Sequence, residues 1–284
     1  MKKDTSNQPS VADGGQFARK PIAVKDFTRP GDPDSAAGIR QALALAESSG
    51  AREIYFESGR YTLRSQVIHP TEGIIHDAGS PASEGLKACH IVLSGLNGLT
   101  LYGATDELGE PATILVGYND GQCHGMLPSI LWAEECPALR LVNLGFTRDP
   151  LYTSAGIVTE NRKGKVSVEV FPDCPSWDHM GAYCANRFTP EGSRLVGESV
   201  TYGNGAGSHW RELGDHRLEI DSPGIAAKVR KGEQLSWHQG AQTDFQIYIA
   251  ACDDLRMENL RVFNSNGFCL LTENCRNLAA RSVR

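Results

Sequence analysis

Short apolar runs separated by turns rich in Gly, Pro and Asn dominate this chain, and most of them alternate with period two. Lys165-Val-Ser-Val-Glu-Val-Phe171 alternates cleanly, and Arg217-Leu-Glu-Ile220 and Ala226-Ala-Lys-Val-Arg230 do so around turns at Ser222-Pro223-Gly224 and Lys231-Gly232. One segment departs from this pattern. From Ser35 to Ser49 the residues Ala36, Ile39, Leu43 and Ala46 recur at helical spacing. An Asp precedes them where it can cap free amides, and Gly50 ends the run. The pattern therefore predicts a short amphipathic helix between strands near Val24–Phe27 and Glu53–Leu63.

A second regularity is internal repetition. Cys136-Pro-Ala-Leu139-Arg-Leu141-Val-Asn143-Leu144, Cys252-Asp-Asp-Leu255-Arg-Met257-Glu-Asn259-Leu260 and Cys275-Arg-Asn-Leu278-Ala-Ala280-Arg-Ser282-Val283 follow one template. The last two lie one plausible solenoid repeat apart. A weaker copy is Leu96-Asn97-Gly98-Leu99-Thr100-Leu101-Tyr102-Gly103. Leu139 and Leu141, or Leu255 and Met257, would point inward along a strand, and the Asn that follows would satisfy backbone groups at a bend. The template vanishes between residues 151 and 240 and resumes at Thr243–Ala250. Four regions are expected: a disordered tail over 1–21, a cap and first coils over 22–150, an inserted β-barrel-like domain over 151–240, and continuing coils over 241–284. The last pattern stops without a polar cap, as a truncated solenoid would.

The segments VKDF, GDPDSAAGIRQALALAESSG and EIYFESGRYTL, within residues 24–63, resemble the N-terminal capping segment of the pectate-lyase-like superfamily. The resemblance implies an all-β, right-handed parallel β-helix whose open end is covered by the short helix, with a β-rich domain inserted. Sugar polymers are the usual substrates that such a fold implies, although fold alone assigns no activity.

Composition narrows the partners. Lys and Arg number 28 against 34 Asp and Glu, a formal charge of −6, which disfavours nucleic acid as a partner. No apolar stretch approaches the roughly 20 residues of a membrane span. Met1-Lys2-Lys3 is not followed by an apolar stretch, so the reading is a cytoplasmic protein unless a leader was removed. Eight Cys lie scattered without a CxxC pair, and several fall in apolar patterns, as core thiols of a reducing compartment do.

No nucleophile elbow, zinc-protease, Walker or dinucleotide motif is present, and no cofactor is expected. Gly203-Asn-Gly-Ala-Gly207 reads as a loop, and His69, His76, His90 and His124 lack a metal-ligand spacing. The stretch Lys228–His238, followed by Phe245–Ala250, Asp253–Phe263 and Gly267–Cys275, is similar to family 110 glycoside hydrolases. That resemblance implies action on α-galactosides by paired carboxylates that come from coils after this region, beyond Arg284.

Glycoside hydrolysis needs a carboxylic acid and a second carboxylate. Glu273, near the end of a groove-side strand, and Asp244, at the start of the preceding one, are the catalytic candidates; either a sugar-binding or an acid/base role suits Glu273. Trp237 and His238 are substrate-binding candidates as a stacking indole and a hydroxyl-binding imidazole, or else a packing contact between insert and coils. Asn274 completes the set beside Glu273. Asp253 and Asp254 read as turn residues. The expected partner is an oligosaccharide or polysaccharide. The alternatives are a pectate-type lyase, which would want clustered Asp around Ca²⁺ and a basic residue such as Arg256 or Arg261, and a carbohydrate-binding solenoid without catalysis.

Overall fold

The structure, a computed structural model, describes residues 20–70, 86–118, 127–151, 153–176, 184–193, 201–202, 209–238, 245–265 and 268–284. Residues 1–19 of the expected tail, the Gly203–Gly207 loop, His76, His124 and Asp244 lie outside them. The protein is all-β. Among the described residues no helix is long and apolar enough to cross a membrane.

Two parallel arrays share one core. In the larger sheet the strands Ile22–Ala23, Glu53–Phe56, Thr100–Gly103, Arg140–Asp149, Arg256–Val262 and Ala279–Val283 lie side by side, all parallel. Gly59–Leu63 and Thr113–Tyr118 join it through the far half of Arg140–Asp149. Register is set by burial. Ile54, Leu101, Leu141 and Met257 are successive partners and all buried, as are Tyr61, Leu115 and Phe146 in the second branch. A slip of one residue would turn each column out to water. Each large apolar side chain so buried stabilises by about 2 kcal/mol.

The second sheet begins with Val67–Pro70 antiparallel to Leu86–Ser94, then continues parallel through Ser129–Glu134, Phe245–Ala250 and Phe268–Glu273. Ile91, Leu131 and Ile247 form its inward column and meet the larger sheet's columns in the same core.

The repeated template makes the corners between the sheets. Gly95, Glu135, Ala251 and Asn274 form one row of left-handed residues, and Gly98, Ala138, Asp254 and Asn277 a second. Each backbone amide of the first three positions in a row donates to a carbonyl of the following turn, as Glu135 does to Ala250 and Ala138 to Asp253. Asn143 and Asn259 stand at φ +55° and +52° in a third row, where Asn tolerates the left-handed region. Asn259 Nδ2 donates to Asn143 Oδ1 and to the Gly109 carbonyl, 2.8 Å each. Cys136 and Cys252 are buried at the corners, the Cys136 amide lying 3.2 Å from Cys252 Sγ. Among the described residues the seven cysteines are free thiols.

The helix spans Ala36–Ser49, and Ala36, Ile39, Leu43 and Ala46 face the core. It packs on Glu53–Phe56, Gly59–Leu63 and Leu86–Ser94. Asp34, one residue ahead of the cap, accepts from the Ala36 amide and also from those of Arg64 and Ser65, so one carboxylate ties the helix start to the strand exit. Gly50 closes the helix at φ +70°.

Between Asp149 and Phe245 the chain builds a different sheet. Its seven strands, in the order Thr201–Tyr202, Cys184–Phe188, Gln234–His238, Thr153–Arg162, Lys165–Val170, Arg217–Asp221 and His209–Gly214, are antiparallel throughout. Among the described residues the two edge strands are not paired with each other, so the insert is an open sheet rather than the closed barrel expected over 151–240. Its inward positions, including Val158, Val168, Trp210, Leu218, Leu235 and Trp237, form a core separate from that of the parallel sheets.

Candidate functional site

The strand Ser129–Glu134 is buried on both faces, unlike an ordinary half-exposed strand. Leu131 and Ala133 enter the main core, while Trp132 joins Cys89, Phe245, Tyr248 and Ala250 in a cluster on the other side of the sheet. Register carries this outward face across the sheet. Val92, Trp132, Tyr248 and Leu271 form one outward column, and Ser94, Glu134, Ala250 and Glu273 the next. Glu134 and Glu273 thus stand in one line, two strand spacings or about 9.5 Å apart at the backbone. In that column the residue between them is Ala250.

Each carboxylate is held by an aromatic donor of the neighbouring column. Trp132 Nε1 donates to Glu134 Oε1, and Tyr248 Oη donates to Glu273 Oε2 at 2.7 Å. The indole and phenol rings are stacked, with centroids 4.0 Å apart. His69, from the antiparallel strand at the sheet edge, brings Nε2 to 2.9 Å from Glu134 Oε2, with side chains of His69 and Glu134 only 16% and 10% exposed. Burial, the hydrogen bond to Glu273 and the negative charges of Glu273 and Glu134 all push the Tyr248 phenol far above its ordinary value. It stays protonated and donating at any working pH. The cluster is therefore two carboxylates on one face, bridged by stacked rings, with an imidazole against the deeper one.

The expected residues are distributed unevenly. Glu273 is in this cluster. The register sets Ala250, not Asp244, beside it, because successive turns here are 23 residues apart. Trp237 corrects the expectation of a sugar-stacking indole: it is 2% exposed and packs against Trp210, ring centroids 5.2 Å apart, inside the inserted sheet's core. The His238 backbone pairs with Thr153 and Cys184; its side chain lies outside the described structure. Asn274 is exposed at φ +51° in the corner row after Glu273, which gives it a turn role. Asp253 and Asp254 also serve the corner: Asp253 pairs with Arg276, and Asp254 Oδ1 accepts from Asn277.

Glu134, Trp132 and Tyr248 are not among the residues the sequence points to, and His69 enters there only as a histidine without a metal-ligand spacing. A signal for the first did exist. Glu134, Ala250 and Glu273 each stand two residues before a template cysteine, Cys136, Cys252 or Cys275, so aligning the repeats aligns the carboxylates. Among the described residues no group of three His, Cys, Asp or Glu is placed to hold a metal ion.

Comparison with known protein families finds no match to this chain, and comparison with curated proteins finds none either. The resemblances rest on the residues quoted for them.

Proposed function

We propose that this chain is a right-handed parallel β-helix glycoside hydrolase acting on α-galactoside-type linkages, with Glu134 and Glu273 as its acid and base. Parallel strands recurring in register, corner rows that hydrogen-bond turn to turn, a helix packed on the first turn and an antiparallel insert all support the β-helix reading. The observation that carries the activity is the line Glu134, Ala250, Glu273. Two carboxylates face the same side in one column with a small residue between, the arrangement an acid and base pair requires.

Acting as acid and base rather than as acid and nucleophile, the pair would invert the anomeric centre. Trp132 and Tyr248 orient the two groups so that neither swings away, and His69 holds or passes a proton at Glu134 Oε2.

The test is hydrolysis of aryl α- and β-galactosides by the chain and by E134Q and E273Q, run beside unsaturated-uronate absorbance on pectin and alginate. Release of galactose that stops in both variants supports the reading. Uronate absorbance without hydrolysis would replace it with a lyase, and retention of polysaccharide without turnover would replace it with a binding protein.

A further inference from the structure

The outward face of the larger sheet carries a second arrangement, on a different sheet from Glu134 and Glu273. Arg140 and Arg256 are direct register partners on adjacent strands, about 4.8 Å apart at the backbone, and both side chains are exposed. In the next row Tyr55, Tyr102, Val142, Glu258 and Arg281 are successive partners. Between the two rows lies a groove of about 290 Å³ lined by the three arginines, Val142 and Glu258.

Among the described residues the arginines of this groove form no ion pair. Arg261 and Arg284 pair with Glu110, and Arg276 pairs with Asp253. Arg140, Arg256 and Arg281 make no ion pair or side-chain hydrogen bond among the described residues, and neither does Glu258 at the groove wall. Like charges directly opposite on neighbouring strands repel. In a chain of net charge −6, three guanidiniums against Glu258 in the groove and Glu53 farther along the Arg140–Arg256 row, beside the tyrosines, leave a local cationic excess. An oxyanion spanning Arg140 and Arg256 would relieve the repulsion through charge-assisted, two-pronged hydrogen bonds. Tyr55 and Tyr102, ring centroids 5.1 Å apart, extend the same face with an aromatic surface suited to the flat side of a sugar ring. The row runs across the strands, so a linear polymer would lie along it.

We infer that this face is a binding site for an oxyanion-bearing polysaccharide, separate from the carboxylate pair and independent of its activity. Arg140 and Arg256 take a carboxylate or sulfate group, Arg281 takes the next, and the two tyrosines carry an adjoining ring. A nucleic acid shares the anionic chemistry, but the cationic surface is three residues wide on an acidic protein, too small for a phosphate backbone footprint.

The experiment is native affinity electrophoresis of the whole chain in gels holding polygalacturonate, dextran sulfate, neutral galactomannan or a single-stranded oligonucleotide. Retardation is expected with polygalacturonate, with dextran sulfate or with both, and the pattern tells a uronate site from a sulfate site or a general oxyanion site. R140Q/R256Q should weaken retardation at least tenfold, and E273Q should leave it unchanged. The arginines point to solvent, and matching thermal melts will show that the double variant folds. R281Q, a milder change at the groove edge, should weaken binding by a smaller factor. Equal retardation by galactomannan, retardation by the oligonucleotide alone, no retardation in any gel, or an unchanged R140Q/R256Q would each overturn the inference.

Discussion

The indole of Trp132 lies stacked on the ring of Tyr248, and each ring donates a hydrogen bond to a different carboxylate, Trp132 to Glu134 and Tyr248 to Glu273. One rigid aromatic pair thereby fixes the directions of two acidic groups on strands that are not neighbours. Removing only the phenolic oxygen separates positioning from packing. Tyr248→Phe keeps the stack, so its stability should fall by about 1 kcal/mol or less. Its kcat on an aryl galactoside should fall about 10-fold or more with KM little changed, because Glu273 loses its orienting donor. Steady-state kinetics beside a urea melt checks both halves.

Glu134→Gln and Glu273→Gln should each lower hydrolysis by about 10²–10⁴, the usual contribution of a positioned acid or base. Proton NMR of the first-formed galactose should show the anomer opposite to that of the substrate. A retained anomer would make the second carboxylate a nucleophile rather than a base.

His90 sets an acid limit on stability. Burial pushes its imidazole down from 6.5 to about 4, with nearby Arg148 and Arg40 adding to the effect and a bond to the Ser65 carbonyl opposing it. Between those values the unfolded chain binds a proton that the folded chain refuses. His90 therefore costs no stability above about pH 6.5 and progressively more as pH falls, about 3 kcal/mol by pH 4. Urea midpoints from pH 7.5 to 4.5 should decline, and the decline should be shallower in His90→Gln.

Asn259 combines two hydrogen bonds with a left-handed backbone. Asn259→Ala should cost about 2–3 kcal/mol, from the lost bonds and the strain of a Cβ at φ +52°. Asn259→Gly should recover part of that, since glycine adopts this region freely. Chemical denaturation of the three forms separates the two contributions.

Asp34 acts as a clamp at the start of the helix. Asp34→Ala removes acceptors from three amides, Ala36, Arg64 and Ser65, and should cost about 2 kcal/mol or more. Asp34→Asn, which keeps one acceptor oxygen, should cost less. Thermal unfolding of both variants measures the difference.

Local features were readable from the chain wherever one element's own periodicity determined them. The helix is an instance: Ala36, Ile39, Leu43 and Ala46 at helical spacing, with Gly50 after them, describe the element as it stands. So are the corner residues, because the template places Asn143 and Asn259 after the same pair of inward side chains. Trp237 was misread for a related reason. Alternation marks Leu235 and Trp237 as members of a strand but does not say which core receives them, and the insert has one of its own.

The sequence by itself determined the β-rich pattern, the short helix, the repeated corners and the interruption between residues 151 and 240, since each follows from local spacing and turn chemistry. The carboxylate site was decided by tertiary structure. Glu134 lies 139 residues from Glu273 and on a strand that reads as plain core, and only parallel pairing through Ala250 puts the two acids in one line. The same holds for Arg140 and Arg256, which lie 116 residues apart, as do Asn143 and Asn259 farther along the same two strands. Inter-strand register is a long-range quantity, fixed by the burial of whole columns at once, and no window of the chain contains it.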